Sequence, residues 1–286
     1  MALSVQQHMD LAVQQLTDRQ LEKFAKLIYD AVGVQITPQK RAMLSNRLRR
    51  RLKDNDLSCF DAYYEKLVRL SKTDAEWDQF LQAVTTHETF LFRDQAQWDW
   101  FQNEFLTERF RDSTAASQRR LRIWSAASST GDEAFTIATC IGGKLPSLGS
   151  WKIEIVGTDI GIEAVRSAQA ATFGERAMRL VPENLRKRFF TADAGTEQWT
   201  ANATLKAMTR FERHNLLSPY RADPFDVVFL KNVMIYFDTP TKAQVLRNVT
   251  GAMRKGSLLV TGASEAVSSL LTGFRRVKPW LFEFQG

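Results

Sequence analysis

The stretch that decides the fold runs from Leu121 to Asp159 and reads LRIWSAASSTGDEAFTIATCIGGKLPSLGSWKIEIVGTD. Leu121–Trp124 is apolar and predicts a strand, and Ser125–Gly131 is a loop of small residues. Asp132 and Glu133 open a predicted helix, and Trp151–Gly157 is a second predicted strand, which stops just before Asp159. Strand, tight loop, helix, strand and carboxylate in this order form the βαβ plan that holds an adenosine-bearing ligand.

The loop after the first strand narrows the class of ligand. It contains one glycine, so the G-x-G-x-x-G fingerprint of dinucleotide-binding proteins is missing, and it has no P-loop lysine to grip a pyrophosphate. Small side chains let the backbone approach a ligand, and a carboxylate after the second strand can accept hydrogen bonds from both ribose hydroxyls. We therefore favour a nucleoside without phosphates, for which S-adenosylmethionine is the common candidate.

Length and composition indicate an ordinary globular protein. The 286 residues, 44% hydrophobic and 25% charged, suffice for a large domain with a smaller helical one. Two cysteines without metal or disulfide spacing, no apolar leader and no apolar run of about 20 residues predict a cytoplasmic protein without membrane insertion. The net charge of +7 favours an acidic partner, either nucleic acid or an acidic protein surface.

Residues 1–84 predict a small all-helical domain. Thr17–Gln20 matches a capping box, an apolar helical periodicity follows, and Gly33 ends the first helix. Thr37-Pro38 offers an N-cap and a first-turn proline for a second helix. Two further amphipathic helices are predicted over Phe60–Leu70 and Trp77–Val84.

The second predicted helix has one strongly basic face. Leu44, Leu48 and Leu52 share the apolar face. The opposite face carries Arg47, Arg49, Arg50 and Lys53. No acidic residue falls between Lys40 and Lys53, so the run is either a solvated helix face or a docking face for an acidic helix or for phosphates.

The remainder of the chain predicts a doubly wound α/β domain. Residues 85–120 read as a linker segment containing a helix over Gln95–Phe110, with Trp98, Phe101 and Phe105 on its buried side. Residues 121–286 alternate strands with helices and carry an inserted subdomain of short strands over about 172–212. Later strands are predicted over Phe225–Leu230, Gly256–Thr261 and Leu281–Phe284.

Polar residues follow several of these strands, where ligands bind in an open α/β sheet. They are Ser125–Glu133, Asp159, His214–Leu216 and Lys231–Val233. An Asn or Asp at such a place is often only a turn former or a helix cap, so the four together predict a site better than each one alone. The histidines His8, His87 and His214 lack metal-ligand spacing, and no metal site is predicted.

Six motifs together resemble the CheR-type chemotaxis receptor methyltransferases, and the resemblance runs from about Leu21 to Phe284. In chain order they are TTHETFLFRD (85–94), IWSAASSTGDE (123–133), GTDI (157–160), NLL (215–217), KNVMIYF (231–237) and GASE (262–265). The resemblance implies a Rossmann-like class I methyltransferase domain with a small helical N-terminal domain and a small β-subdomain insert.

In function, the resemblance implies methyl transfer from S-adenosylmethionine to glutamate side chains on the cytoplasmic helices of methyl-accepting chemotaxis receptors. The products are glutamate methyl esters and S-adenosylhomocysteine. Arg93 and Tyr236 would face the methyl group and the incoming carboxylate. The basic helix would dock the receptor, and the insert matches a subdomain that in some members also binds a receptor's C-terminal peptide. By position, the cofactor-contacting residues are His87, Thr89, Arg93, Glu133, Asp159, Asn215, Leu216, Asn232 and Val233.

Methyl transfer to a carboxylate requires few catalytic groups from the protein. A glutamate acceptor has a pKa near 4.3, so at neutral pH it is already a carboxylate nucleophile and needs no general base. The remaining work is alignment for in-line attack on a sulfonium and partial desolvation of the carboxylate. The Arg93 guanidinium suits this work, because it binds a carboxylate in a defined orientation and stays charged. Tyr236 can add a hydrogen bond.

Several positions depart from the family pattern and keep a second hypothesis open. His87 stands where the family usually has Asn, Ala134 where it has Pro, Lys231 where it has Arg, and Ala263 where it has His; Asp132 replaces a Glu. These departures motivate a catalytically weakened, cofactor-binding regulatory or scaffold protein of a chemosensory array. A nucleic-acid methyltransferase rests on net charge alone and ranks last; no nucleic-acid partner is expected.

Overall fold

The computed structural model describes residues 14–111, 119–145 and 150–286. Within these ranges, none of the helices combines the length and apolarity that crossing a bilayer requires. The chain divides into two compact units, a helical unit that ends at Thr86 but also includes Tyr236–Thr241, and a sheet unit of His87–Ile235 and Lys242–Gly286. The predicted domain over 121–286 therefore needs a correction, because Tyr236–Thr241 packs with the helical unit.

Hydrogen bonds explain why Tyr236–Thr241 belongs to the helical unit. The Gln35 amide donates to the Tyr236 carbonyl at 2.9 Å, and Val34 pairs with Phe237 in an isolated antiparallel bridge. The Tyr29 hydroxyl also donates to Asp238 at 3.0 Å. These contacts join residues some 200 positions apart, which no local sequence pattern reveals.

The helical unit contains α1 (Asp18–Val32), α2 (Arg41–Asp54), α3 (Phe60–Arg69) and α4 (Ala75–Val84). The predicted capping box at Thr17 and Gln20 is present, and Gly33 ends α1 in the left-handed conformation with φ of 72°. The start of α2 differs from the prediction. Thr37 makes no side-chain cap, and a 3₁₀ turn over Pro38–Lys40 precedes the helix.

Aromatic and aliphatic side chains from all four helices form the core of this unit. Leu44, Leu48 and Leu52 of α2 are completely buried, as the periodicity predicted. Phe24 of α1 and Phe80 of α4 lie 6.4 Å apart, with both rings fully buried. Burial of such side chains contributes roughly 1.5–3 kcal/mol each, so packing of these faces, rather than helix propensity, stabilises the unit.

The strands of the sheet unit in chain order are β1 (Arg120–Ala126), β2 (Lys152–Asp159), β3 (Thr172–Gly174), β4 (Phe190–Ala192), β5 (Gln198–Ala201), β6 (Thr209–Arg213), β7 (Phe225–Leu230), β8 (Met253–Thr261), β9 (Phe274–Lys278) and β10 (Leu281–Phe284). Seven of them form one sheet in the order β6-β2-β1-β7-β8-β10-β9. β10 runs antiparallel to both of its neighbours, and the other pairings are parallel. The winding reverses between β1 and β7, so a crevice for a ligand is expected at their carboxyl ends.

Helices accompany this sheet. They are α5 (Gln95–Trp100), α6 (Leu106–Arg111), α7 (Asp132–Lys144), α8 (Ile162–Ala170), α9 (Glu175–Met178), α10 (Glu183–Phe189), α11 (Ala203–Met208) and α12 (Thr239–Thr250). The predicted single helix over Gln95–Phe110 is interrupted by a π-helical turn at Phe101–Phe105. Trp98 is buried and stacks on Phe229 of β7 at 5.5 Å, whereas Phe105 is only half-buried.

The insert contains a separate three-stranded antiparallel sheet in the order β3-β5-β4. We predicted it over about 172–212, but β6 pairs with β2 in the main sheet, so the insert ends at Met208. β6 was misassigned because it is a half-exposed edge strand, and its sequence Thr-Arg-Phe-Glu-Arg lacks the apolar run of a central strand. The edge strand β9 was missed for the same reason.

Candidate active site

The loop after β1 curls tightly at the carboxyl edge of the sheet. Ala127, Ser129 and Gly131 all have positive φ, of 63°, 51° and 90°. The Ser128 amide donates to the Thr158 carbonyl of β2 at 2.8 Å. Only glycine fits at position 131, because an added Cβ would lie 2.9 Å from the Cβ of Ala168. The small-residue loop therefore brings backbone, rather than side chains, to the edge where a ligand would lie.

Asp159 ends β2 beside this loop with only 6% of its surface exposed. One carboxylate oxygen accepts the Ser129 amide at 2.8 Å, and the other accepts the Gly161 amide at 2.9 Å. Nδ1 of His87 lies 3.7 Å from the same carboxylate, and the Ser129 hydroxyl donates to the His87 carbonyl at 2.9 Å. A carboxylate has about four acceptor positions, so Asp159 is fixed in orientation and retains capacity for ribose hydroxyls.

Glu133, in the first turn of α7, belongs to a charge network around the buried Lys231. Its carboxylate accepts the Ser125 hydroxyl at 2.7 Å and lies 3.4 Å from Nζ of Lys231. Lys231, whose side chain is 3% exposed, also pairs with Asp94 at 3.2 Å and lies 5.0 Å from the centre of the Trp98 ring. Lys231 therefore keeps its cation buried by bridging two carboxylates.

Arg93 is presented by a strained turn. Its neighbours Phe92 and Asp94 have positive φ, of 59° and 69°, which is unfavourable for a side chain as bulky as phenylalanine. The Phe92 amide donates to the Thr136 hydroxyl at 3.0 Å, and the Trp98 indole donates to the Arg93 carbonyl at 2.6 Å. Together with the Lys231–Asp94 pair, these bonds hold the turn in one conformation.

The loop after β7 is held by a residue that the sequence analysis did not single out. Glu265 is completely buried, and its carboxylate accepts the Val233 amide at 3.0 Å and the Gly262 amide at 3.1 Å. Burial raises the pKa of Glu265, and the backbone hydrogen bonds act in the opposite direction. Asn232 has φ of 59°, which asparagine tolerates. The sequence signal was the GASE motif, in which an acid follows a buried strand.

Asn215 and Leu216 follow β6 at the same edge. The His214 amide donates to the Asp159 carbonyl at 2.9 Å, so this loop is tied to the end of β2. The Asn215 side chain accepts the Leu217 amide at 3.0 Å, and the Leu216 carbonyl accepts the Asn248 side chain at 2.9 Å. Leu216 is buried and gives this side an apolar surface.

The His214 ring lies in an aromatic group. It contacts the rings of Trp124 and Tyr220, whose own centroids are 4.8 Å apart. Its Nε2 atom is buried and makes no hydrogen bond within the described part of the chain. Burial lowers the pKa of His214, against a smaller opposing effect of a backbone hydrogen bond at Ser218. This histidine therefore favours the neutral form.

Thr89 and Tyr236 are the remaining predicted residues. Thr89 is half-buried on the segment before Arg93. Tyr236 belongs to the helical unit, where Nζ of Lys40 lies 5.8 Å from its ring centre. Its role beside Arg93 stays a prediction.

The predicted docking face of α2 is not uniform. Arg47 donates to the Val84 and Thr85 carbonyls at 2.9 and 3.0 Å, and burial lowers its pKa. Arg49 donates to the Gln14 carbonyl at 2.6 Å. Arg50 and Lys53 are exposed and have no ion-pair partner in the described ranges. The free positive charge of this face therefore lies on Arg50 and Lys53.

Comparison with known proteins gives the class. Residues 87–280 match the family model described as "CheR methyltransferase, SAM binding domain", and residues 19–85 match "CheR methyltransferase, all-alpha domain". The sheet unit is therefore the S-adenosylmethionine-binding domain of a methyltransferase. These acceptors fit this cofactor, because Asp159 and Glu133 offer carboxylates for hydroxyl and ammonium groups.

The two family-model matches together span most of the chain, and this coverage identifies the family. The protein belongs to the CheR methyltransferase family. It is 31% identical to the chemotaxis protein methyltransferase of Klebsiella aerogenes over 91% of this chain and 87% of that protein. It is also 31% identical to the one of Salmonella typhimurium, over 91% and 88% of the two chains. A probable chemotaxis protein methyltransferase of Rhizobium etli is 30% identical over 85% and 90%.

Proposed function

We propose that this methyltransferase esterifies glutamate side chains on the cytoplasmic helices of chemotaxis receptors and acts in the cytoplasm. The family and the names of its relatives support a receptor substrate. One observation carries the choice of a carboxylate acceptor. Arg93 is held on a fixed turn, yet in the described residues its guanidinium has no carboxylate partner and donates only to the Glu88 carbonyl at 3.2 Å. It is therefore available to an incoming carboxylate.

When bound, S-adenosylmethionine supplies an electrophilic methyl group on a sulfonium sulfur. Asp159 would hold the ribose hydroxyls, and Glu133 would accept from the ammonium group of the methionine part. The adenine side would rest on Asn215 and Leu216. We assign the remaining cofactor contacts to His87, Thr89, Arg93, Asn232 and Val233. Asp159 is held by the Ser129 amide and Glu133 by the Ser125 hydroxyl, which supports these roles, because both acceptors are oriented before a ligand arrives.

The acceptor glutamate is ionised at neutral pH, so the protein needs to supply orientation rather than a base. Arg93 would grip the carboxylate and turn one oxygen toward the methyl group, with Tyr236 adding a hydrogen bond. Binding that is too strong would lower the nucleophilicity of the carboxylate. Arg93 therefore acts as an orienting residue. No proton changes hands in the methyl-transfer step, so none of the proposed site residues has to act as a general base.

Receptor docking would use the helical unit and the insert. Arg50 and Lys53 present free positive charge to an acidic receptor helix, whereas Arg47 and Arg49 act mainly inside the helical unit. The small antiparallel sheet β3-β5-β4 would take a receptor's C-terminal peptide where one is present.

A weakened, cofactor-binding scaffold is the second candidate, motivated by the departures from the family pattern. The contacts of Lys231 argue against it. Lysine replaces the family's arginine there, but it still bridges Asp94 and Glu133, so the link between Arg93 and the cofactor-binding carboxylate is kept. The same applies to His87, which remains beside Asp159.

The decisive assay incubates the protein with receptor-containing membranes and methyl-labelled S-adenosylmethionine. We expect label on the receptor that mild alkali releases as methanol, because carboxylate esters hydrolyse there. Arg93→Ala should lower the rate about a hundredfold through lost orientation, and because Arg93 is one cofactor contact among several, the affinity for S-adenosylhomocysteine should fall much less than the rate. Label that resists alkali would mean N-methylation. An unchanged rate in Arg93→Ala would remove Arg93 from the mechanism and favour the scaffold.

A further inference from the structure

Glu265 ties together the carboxyl ends of two neighbouring strands, β7 and β8. The residue follows β8, is completely buried, and accepts the Gly262 amide of its own loop at 3.1 Å. Its other carboxylate oxygen accepts the Val233 amide of the loop after β7 at 3.0 Å. Burial raises the pKa of this carboxyl, and the amides of Asn232 and Met234 act with these two bonds in the opposite direction. One acidic side chain therefore serves three consecutive amides of the neighbouring loop.

The backbone of the loop after β7 is suited to an anion. Asn232 is left-handed, with φ of 59°, and a 3₁₀ turn over Met234–Tyr236 follows it closely. Successive N–H groups in such a turn point into one concavity, which binds negatively charged groups. The amides at the start of a helical turn also lack an acceptor within the turn. Glu265 supplies the anion from inside the protein.

The loop after β8 is shaped to let Glu265 fold back. A Cβ added at Gly262 would lie 3.1 Å from Cδ of Glu265 and 3.3 Å from the amide nitrogen of Asn232, so glycine allows the close approach. Lys242 donates to the Glu265 carbonyl at 3.1 Å, which fixes the backbone of the residue. Because backbone N–H groups hold the carboxylate, neutralising it would leave buried donors without a charged acceptor.

We propose that Glu265 is a positioning residue for the cofactor site, whose charged side chain holds Asn232 and Val233 in the conformation that contacts S-adenosylmethionine. Glu265 acts through the backbone of the loop after β7. The proposal rests on the proposed function, in which Asn232 and Val233 are cofactor contacts. It extends the site by a residue whose effect reaches the cofactor without a direct contact.

The test measures binding of S-adenosylhomocysteine by calorimetry and the kinetics of receptor methylation in Glu265→Gln. Glutamine keeps the shape of the side chain, but its NH₂ group faces backbone donors, so one amide loses its acceptor. We expect the affinity for S-adenosylhomocysteine to fall about tenfold and the KM for S-adenosylmethionine to rise by a similar factor, as the loss of one charge-assisted hydrogen bond gives. The KM for receptor should stay the same. Glu265→Asp, which keeps the charge with a shorter reach, should retain part of the affinity.

Ser257→Ala is the matched control for a merely structural role. Ser257 is buried at the other end of the same two strands, where its hydroxyl accepts the Arg254 amide at 3.0 Å and donates to the Phe225 carbonyl at 2.7 Å. Its loss should lower the free energy of unfolding without changing the affinity for S-adenosylhomocysteine. Urea denaturation of each variant separates the loss of stability from the loss of cofactor affinity.

Unchanged affinity in folded Glu265→Gln, or an equal loss of affinity in Ser257→Ala, overturns the positioning role and leaves the proposed function intact. If Glu265→Gln does not fold, the same comparison is made with Glu265→Asp, in which a several-fold loss of affinity is expected and wild-type affinity overturns the role. If the folded wild type binds no S-adenosylhomocysteine, the proposed cofactor site fails and the positioning role falls with it.

Discussion

Two sets of charged residues look alike in the sequence and differ sharply in the structure. At the carboxyl edge of the sheet, Asp159 and Lys231 are buried, Glu133 is half-buried, and all three are bonded to the protein itself. On α2, Arg50 and Lys53 are exposed and unpaired in the described ranges. The first set fixes geometry, because each charge is held by partners. The second offers charge to a partner molecule and holds nothing in place.

The same difference separates the basic residues of α2 from one another. Some are bonded within the helical unit, and others are free. Arg47 bonds to the carbonyls at the end of α4, and Arg51 pairs with Glu76 at 2.5 Å. These arginines stabilise the helical unit in the same way as Lys231 stabilises the edge of the sheet. Charge alone therefore does not mark a docking residue, whereas exposure without an internal partner does.

The largest effect is expected from Lys231→Met. Removing the cation takes the ion-pair partner from Glu133 and from Asp94, which should lower the free energy of unfolding by about 2–3 kcal/mol. It should also lower methyl transfer about a hundredfold, because the Arg93 turn and the cofactor carboxylate lose their link. Urea denaturation and receptor methylation rates measure the two effects.

Lys231→Arg is the control for this variant, since it restores the residue usual in the family and keeps a cation between the two carboxylates. It should retain nearly full stability and activity. Wild-type rates in Lys231→Met would show that the buried bridge does not position Arg93.

Smaller effects are expected from charge changes on α2. An internally bonded arginine should affect stability, whereas the exposed cations should affect receptor binding. Arg47→Ala should lower the free energy of unfolding by about 1–2 kcal/mol, because buried carbonyls lose their donor. Arg50→Glu with Lys53→Glu should leave stability within about 0.5 kcal/mol of the wild type but raise the KM for receptor several-fold. The salt dependence of KM should shrink in the double variant. An equal loss of unfolding free energy in Arg47→Ala and in the double variant would contradict the distinction between internally bonded and free charges on α2.

The smallest effect is expected at His214, and it depends on pH. Burial lowers the pKa of His214 in the folded protein, so the unfolded chain binds the proton first as the pH falls through about 6.5. Above that pH the histidine is neutral in both states and has no effect. Below it, the wild type should lose stability, and His214→Gln should lose less. Parallel thermal unfolding curves at pH 7.5 and 5.5 would test this, and identical losses would contradict it.

Local patterns predicted much of the fold. The capping box at Thr17, the stop at Gly33 and the apolar strand Phe225–Leu230 are each set by neighbours in the chain, and each is found where it was expected. The errors fall where tertiary contacts decide. The edge strands β6 and β9 are rich in charged residues, and Tyr236–Thr241 joins the helical unit through pairing that no local pattern encodes.

The candidate site was predictable in position but not in its bonding. Strand-end polar residues pointed to Asp159 and to the loops after β6 and β7, because parallel strands bring their carboxyl ends to one edge. The burial and bonding of Lys231 and Glu265 were not visible, since a lysine and a glutamate in a sequence carry no mark of burial. Their partners, Asp94 and the Val233 amide, are known only once the chain is folded.

The central claim is that internally held carboxylates at the end of the sheet form the cofactor site of a working methyltransferase. It is tested most directly by calorimetric titration with S-adenosylhomocysteine, comparing wild type with Asp159→Ala and with the surface control Asp193→Ala. We predict micromolar binding by the wild type and the control, and a loss of about tenfold to a hundredfold in Asp159→Ala, as expected for a charged hydrogen-bonding group. No binding by folded wild-type protein, or unchanged binding in folded Asp159→Ala, would contradict the account.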